Sequence, residues 1–247
     1  MSDILIENVE RIKREVASAA LGVGRRPEDV RIVPATKTVS PERINLLLDC
    51  GIDTIGENRV QELLEKYDAL DKRFSIHFIG KLQTNKVKYI IDKVDMIHSV
   101  DSLKLCEEIG KRAMAIGRVM DILIEINIGK EESKSGIMPE EAVEFAEKAS
   151  LIEGIRIVGL MVIPPKICHE KGDFEGDSEG GSQKIYTSAF YFENVKKISL
   201  DILNKNMHNV IMRELSMGMS DDYCEAVING STIIRPGRAI FGERIYK

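Results

Sequence analysis

Apolar residues recur near the start of the chain at spacings of four and three: Leu5, Val9, Ile12, Val16 and Ala19. That spacing lines one stripe of a helix and predicts an amphipathic N-terminal helix. The pattern then changes. "RIVPAT", from Arg31, is a short β-branched run, the first strand expected. "SPERINLLLDCG" follows, with Ser40 as N-cap, Pro41 at the first helical position and Gly51 just past the end. The alternation then repeats. Strands are expected at "DTIGEN", "SIHFIG", "DMIHSV", "VMDILIEINIG", "IRIVGLMVI", "RELSMG" and "STIIRPG". Between them lie helical patterns at "RVQELLEKYDAL", "QTNKVKYII", "SLKLCEEIGKRAMAIG" with Asp101 as cap, "PEEAVEFAEKAS", "YTSAFYFENVKKISLDILNK" and "DDYCEAVING".

Most of these strands read as continuous apolar runs, the mark of parallel strands covered on both faces. About eight strand–helix units in 247 residues match the size of an α/β (β/α)8 TIM barrel. The expectation is a single domain over 1–247 with an extra N-terminal helix. A doubly wound open sheet is the competing arrangement. Pro34 sits awkwardly in the barrel, because it removes a ladder donor from the first strand, which a closed barrel tolerates only at a bulge or strand end. The segment "PPKICHEKGDFEGDSEGGSQK", from Pro164, is rich in glycine and acid and has no period. It reads as a mobile loop over 165–184. Cys168 and His169 are adjacent there, but no second pair completes a metal site.

Composition changes the picture mainly by exclusion. A net charge of −5 leaves no basic face for nucleic acid. No apolar run approaches the length of a membrane span, and the acidic N-terminus lacks the character of a signal peptide. Cys50, Cys106, Cys168 and Cys224 lie far apart, as suits reduced thiols in a cytoplasm.

A barrel of this kind carries its chemistry at the C-terminal ends of the strands and often holds phosphate on the loops after strands seven and eight. Here those loops are "SMGMSDD" and "RPGRAIFG". Gly218 and Gly237 let backbone N–H groups approach an anion, or else serve tight turns. Ser220 is placed to cap the helix after strand seven, with Asp221 and Asp222 turned outward toward the helix dipole. Lys37 ends strand one, beside strand eight in a closed barrel. It either surfaces into solvent or stands partly desolvated at a pocket mouth, where its amine can attack a carbonyl. A Schiff-base lysine beside a phosphate site points to pyridoxal 5′-phosphate (PLP) or a phosphorylated sugar. Arg235 either reaches the same pocket or forms an ion pair with Glu57 or Glu125.

The motifs "ATKT" at Lys37, "GENRVQE" from Gly56, "HFIGKLQTNK" from His77, "HSVDS" from His98, "SKSGI" from Ser133, "GLMVIPP" from Gly159, "SMGMSDD" from Ser216 and "RPGRAIFG" from Arg235 run in order over nearly the whole chain. In this ordered set the chain resembles the YggS/PROSC family of pyridoxal phosphate homeostasis proteins, and it is similar to the barrel domain of alanine racemases. The resemblance implies the fold type III barrel of PLP proteins, with Lys37 holding the cofactor as a Schiff base. It implies a phosphate cup of Ser216, Met219, Ser220, Gly237 and Arg238, with Asn58 near the ring and Arg235 facing the ring nitrogen. An arginine there donates a hydrogen bond and keeps that nitrogen unprotonated, which makes the ring a poor electron sink. His77 either approaches the site or packs in the barrel. Lys134 is a second amine near the entrance. Two positions depart from the family pattern: Val39 stands where a second lysine is common, and Arg238 where a small residue is usual.

The function implied is intracellular PLP homeostasis, buffering or delivering the cofactor without catalysis. The partners expected are PLP and PLP-dependent apo-enzymes, and a monomer is the family expectation. The alternative is an amino-acid racemase. That enzyme brings a second, β-rich domain whose tyrosine opposes the lysine, whereas this sequence stops soon after "IFG". Two-base racemisation needs proton donors on both faces of the substrate. Lys37 serves one face, so the carrier is the expectation.

Overall fold

The computed structural model describes residues 2–165 and 187–243, with side chains from Ile4 onward. Eight parallel strands form one sheet: β1 (Arg31–Ile32), β2 (Thr54–Glu57), β3 (Ser75–Phe78), β4 (Met96–Val100), β5 (Met120–Ile126), β6 (Ile155–Val162), β7 (Val210–Ser216) and β8 (Ile233–Ile234). Their order is β1-β8-β7-β6-β5-β4-β3-β2. The two ends then meet. Ala35 bridges Gly56, the Thr36 amide donates to Gly56 O and the Gly56 amide donates to Pro34 O, both at 2.9 Å. The sheet is thus a nearly closed barrel, not an open doubly wound one. Pro34 fits because it lies beyond the regular β1, at this seam. Val33 and Ala35 donate to Ile234 O and Pro236 O on the β8 side. Alternation directs the amide position of residue 34 toward β2, where pairing has barely begun.

The helices outside the barrel are α1 (Ser2–Gly22), α2 (Pro41–Asp49), α3 (Val60–Lys66), α4 (Leu103–Ala115), α5 (Ala142–Ala149), α6 (Ser188–Leu203), α7 (Tyr223–Ile228) and α8 (Arg238–Phe241). Three details differ from the sequence reading. The pattern at "QTNKVKYII" forms a 3-10 helix, Thr84–Tyr89, whose three-residue turn stacks buried Val87 above buried Ile90. Ser102, not Asp101, is the N-cap of α4. In α1 the last core position is Ala20 and not Ala19, as a 3.6-residue period requires after Val16.

Strand alternation divides the core in two. Val33, Met96, Leu123, Val158, Met161 and Ile233 fill the barrel interior. The outward-facing strand residues pack under the helices with the α1 stripe. At the β6–β7 register shift, a Cβ on Gly159 would lie 1.8 Å from Glu214 O, so only glycine fits that approach.

α1 stands where the barrel's last helix is short. α8 has four residues, and its terminal carbonyls need donors from elsewhere. Asn8 donates to Ile240 O at 3.0 Å, Arg11 to Ala239 O at 3.2 Å and Arg43 of α2 to Phe241 O at 3.2 Å. The extra N-terminal helix therefore braces the loop that follows β8. Segment 165–184, with Cys168 and His169, lies outside the described residues apart from Pro165.

Candidate functional site

Four strand ends converge at the C-terminal mouth. Val33 and Ala35 carry the inner face of the first strand upward, and Lys37 follows two residues later in a half-buried turn. Ala35 donates to Pro236 O at 3.0 Å, and a Cβ on Gly237 would lie 3.4 Å from Ala35. The Lys37 turn and the loop after β8 are therefore immediate neighbours.

The turn is held from below. Thr36 Oγ1 donates to Glu57 at 2.5 Å, and Lys66 Nζ donates to Thr36 O at 2.9 Å. Lys66 is also ion-paired with Glu57 at 2.9 Å and Glu62 at 2.8 Å. Glu62 in turn accepts the N–H of Thr38, whose φ of 63° reverses the chain just after Lys37. Burial raises the pKa of Glu57 above the usual carboxylate range, against the pull of Lys66.

The loops after β7 and β8 are tied to each other. Arg235 N–H donates to Gly218 O at 2.8 Å. Gly218, at φ 96°, packs where a side chain would strike Ala226. Ser220 does not cap α7. Its hydroxyl oxygen instead accepts the N–H groups of Gly237 and Ala239, at 3.2 and 3.1 Å, at the start of α8. These amides therefore converge on one oxygen, as a phosphate would require. Asp222 corrects the outward expectation. Its carboxylate turns back and accepts the Met219 N–H at 2.6 Å, closing a reciprocal turn with Asp222 N–H on Met219 O. Burial raises its pKa. Asp221 does face out, and it pairs with Arg238. The Arg238 guanidinium is thus engaged at the surface.

Arg235 is the most deeply set cation at this mouth. It donates to Ser216 Oγ and, at 2.9 Å, to Val162 O, and burial lowers its pKa to about 10. Among the described residues, no ion pair within 4 Å involves it, so the alternative of a pair with Glu57 or Glu125 is not found. Ser216 Oγ lies 2.9 Å from His98 Nδ1, and His98 Nε2 lies 3.0 Å from His77 Nδ1. His77 sits level with Met96 in the register, one layer below the mouth. Asn58 follows β2, and its buried Oδ1 has no hydrogen-bond partner among the described residues. Lys134 is ion-paired with Glu131 at 2.5 Å.

Ser216, Ser220, Arg235 and Gly237 are thus joined through side chains and loops, with Lys37 alongside. Three sets of participants were missed or misassigned in the sequence, where Glu57 and Glu125 stood only as alternative ion-pair partners of Arg235. His98 lay unassigned within "HSVDS". Glu57, Glu62 and Lys66 show only one readable signal, the i,i+4 spacing of the last two. Glu125 continues the inner face from Leu123, and burial together with nearby Asp101 raises its pKa to about 7. The set of groups suits a phosphorylated aromatic aldehyde: a primary amine, convergent backbone amides, a buried guanidinium that feels Asp222 and Glu125 but has no carboxylate within 4 Å among the described residues, and the amide oxygen of Asn58.

Comparison with known proteins gives the same picture. The family model described as alanine racemase, N-terminal domain, matches residues 24–245. A pyridoxal phosphate homeostasis protein of Aquifex aeolicus is 39% identical, with 97% of this chain and 98% of the relative covered. A solved structure from Bifidobacterium adolescentis, titled as an unknown protein, is 35% identical with a TM-score of 0.84, covering 97% of this chain and 95% of that one. The structure of PipY from Synechococcus elongatus PCC7942 with PLP bound is 28% identical with a TM-score of 0.73, covering 94% of this chain and all of that one.

Proposed function

The chain belongs to the alanine racemase N-terminal domain family and, within it, to the pyridoxal phosphate homeostasis proteins, and on that premise we propose that it binds PLP reversibly through Lys37 and buffers or delivers it inside the cell. What carries this reading is the shared mouth. The Lys37 turn, the Gly237 and Ala239 amides and the buried guanidinium of Arg235 all lie at one end of the barrel.

Bound there, the cofactor supplies an aldehyde that condenses reversibly with a primary amine and a ring that can withdraw electrons. The chain's own residues hold and orient it. The turn fixed by Glu57, Glu62 and Lys66 presents the Lys37 amine. The α8 amides and Ser220 hold the phosphate. Asn58 meets the ring.

Arg235 can donate but never accept, so it keeps a proton off the ring nitrogen and weakens the ring as an electron sink. That favours holding the cofactor over using it. We therefore read the protein as a non-catalytic cytoplasmic carrier, a monomer, with PLP-dependent apo-enzymes as recipients. The names of its relatives support the role.

The test is to load the purified chain with PLP, follow the absorbance, then add an apo-enzyme and measure its activation. Assays with single enantiomers of amino acids run in parallel. Activation without racemisation supports the carrier; turnover of either enantiomer, or no binding at all, refutes it. Arg235→Glu should shift the absorbance by placing a proton on the ring.

A further inference from the structure

The hydrogen bonds beneath Arg235 have a direction that the side-chain chemistry fixes. Among the described residues, Ser216 Oγ has two hydrogen-bond neighbours, Arg235 Nη1 and His98 Nδ1. A guanidinium only donates. The hydroxyl proton of Ser216 therefore points to His98 Nδ1, because a buried hydroxyl without an acceptor costs free energy. With Nδ1 accepting, the neutral imidazole of His98 carries its proton on Nε2, which lies 3.0 Å from His77 Nδ1. His77 accepts in turn and also carries its proton on Nε2. All four side chains are buried, and the imidazoles cross the barrel from β3 and β4 to β7 and the end of β8.

We propose that Ser216, His98 and His77 form a one-way hydrogen-bond chain that positions Arg235, with both imidazoles in the Nε2–H form. Burial keeps both histidines well below their usual pKa, His77 at about 3, so the chain adds no second cation beside the guanidinium. Held by Ser216 Oγ on one nitrogen and Val162 O on the other, Arg235 has its plane fixed while other N–H groups stay available to a ligand. The Ser216 proton is committed inward, so this residue serves Arg235 and not the phosphate as a donor. His98 is a positioning residue acting through Ser216. Its effect on the cofactor rests on the PLP reading; the tautomers do not.

The first experiment uses the ligand-free protein labelled with 15N-histidine. The sequence has four histidines, and His77→Gln and His98→Asn assign the signals of these two. Long-range 1H–15N correlation should show an unprotonated Nδ1 and a protonated Nε2 for both. A proton on His98 Nδ1, alone or with one on Nε2, at neutral pH overturns the proposal.

The second experiment compares PLP affinity and absorbance in folded His98→Leu and His98→Asn. The leucine variant leaves the Ser216 proton without its acceptor and should lose about tenfold in affinity, with an altered absorbance. Asparagine places an acceptor near the Nδ1 position and should recover most of both. A leucine variant that folds, binds PLP and matches the parent in affinity and spectrum refutes the positioning role. A parent protein with these tautomers and no PLP binding refutes the PLP reading and leaves the chain standing.

Discussion

The Lys66 ammonium donates to the carbonyl oxygen of Thr36 at 2.9 Å, one residue before Lys37, while Glu62 accepts the amide one residue after it. The segment "GENRVQELLEK" thus supplies both halves of a clamp on the turn that bears the amine. Lys66→Met leaves buried Glu57 and half-buried Glu62 without their cation. Stranding one partner of a buried pair costs about 3 kcal/mol, the loss expected in denaturant unfolding. Loss below about 1 kcal/mol would mean that the clamp contributes little.

Ser220→Ala removes the oxygen on which the Gly237 and Ala239 amides converge. PLP affinity should fall about tenfold by spectroscopic titration, and Ser220→Thr should keep most of it because the hydroxyl remains. Equal affinities for alanine and threonine would separate Ser220 from the cup.

Glu125 carries a pH signature. Its folded pKa of about 7 lies above the unfolded carboxylate value, so the folded state holds the extra proton between about pH 4.5 and 7. Stability tied to this group is therefore present at low pH and lost as pH rises through 7. Glu125→Gln should be more stable than the parent at pH 8 by about 1–3 kcal/mol, with the advantage gone below about pH 5. A pH-independent difference would contradict the shift.

The buried histidines act in the opposite sense. Their folded pKa values are depressed, so the unfolded chain takes protons first as pH falls below about 6.5. Each should remove about 1.4 kcal/mol of stability per pH unit below that point, partly offset by Glu125. His77→Gln should flatten the acid limb by about one such slope. An unchanged limb would count against a neutral buried His77.

The barrel was legible because its evidence is periodic: apolar strands, capped helices and a four-and-three stripe in α1 each recur. Pro34 looked wrong only because the seam where it lies is a tertiary feature. Lys37 and Arg235 could each be read two ways in the sequence, because burial and partners are encoded by no local pattern. The network of His77, His98, Ser216 and Arg235 joins residues up to 158 positions apart, since 235 − 77 = 158. Ser220 was correctly placed in its loop yet bonds across to α8, because two loops distant in sequence close on each other in space.

The proposed carrier role depends on the amine of Lys37 holding the cofactor. The most direct measurement is borohydride reduction of the PLP-loaded protein followed by peptide mass mapping, with Lys37→Ala treated alongside. A pyridoxyl phosphate adduct is expected on the peptide containing Lys37, with no adduct at that site in the variant. An adduct confined to another lysine, or an undiminished adduct in Lys37→Ala, would contradict it.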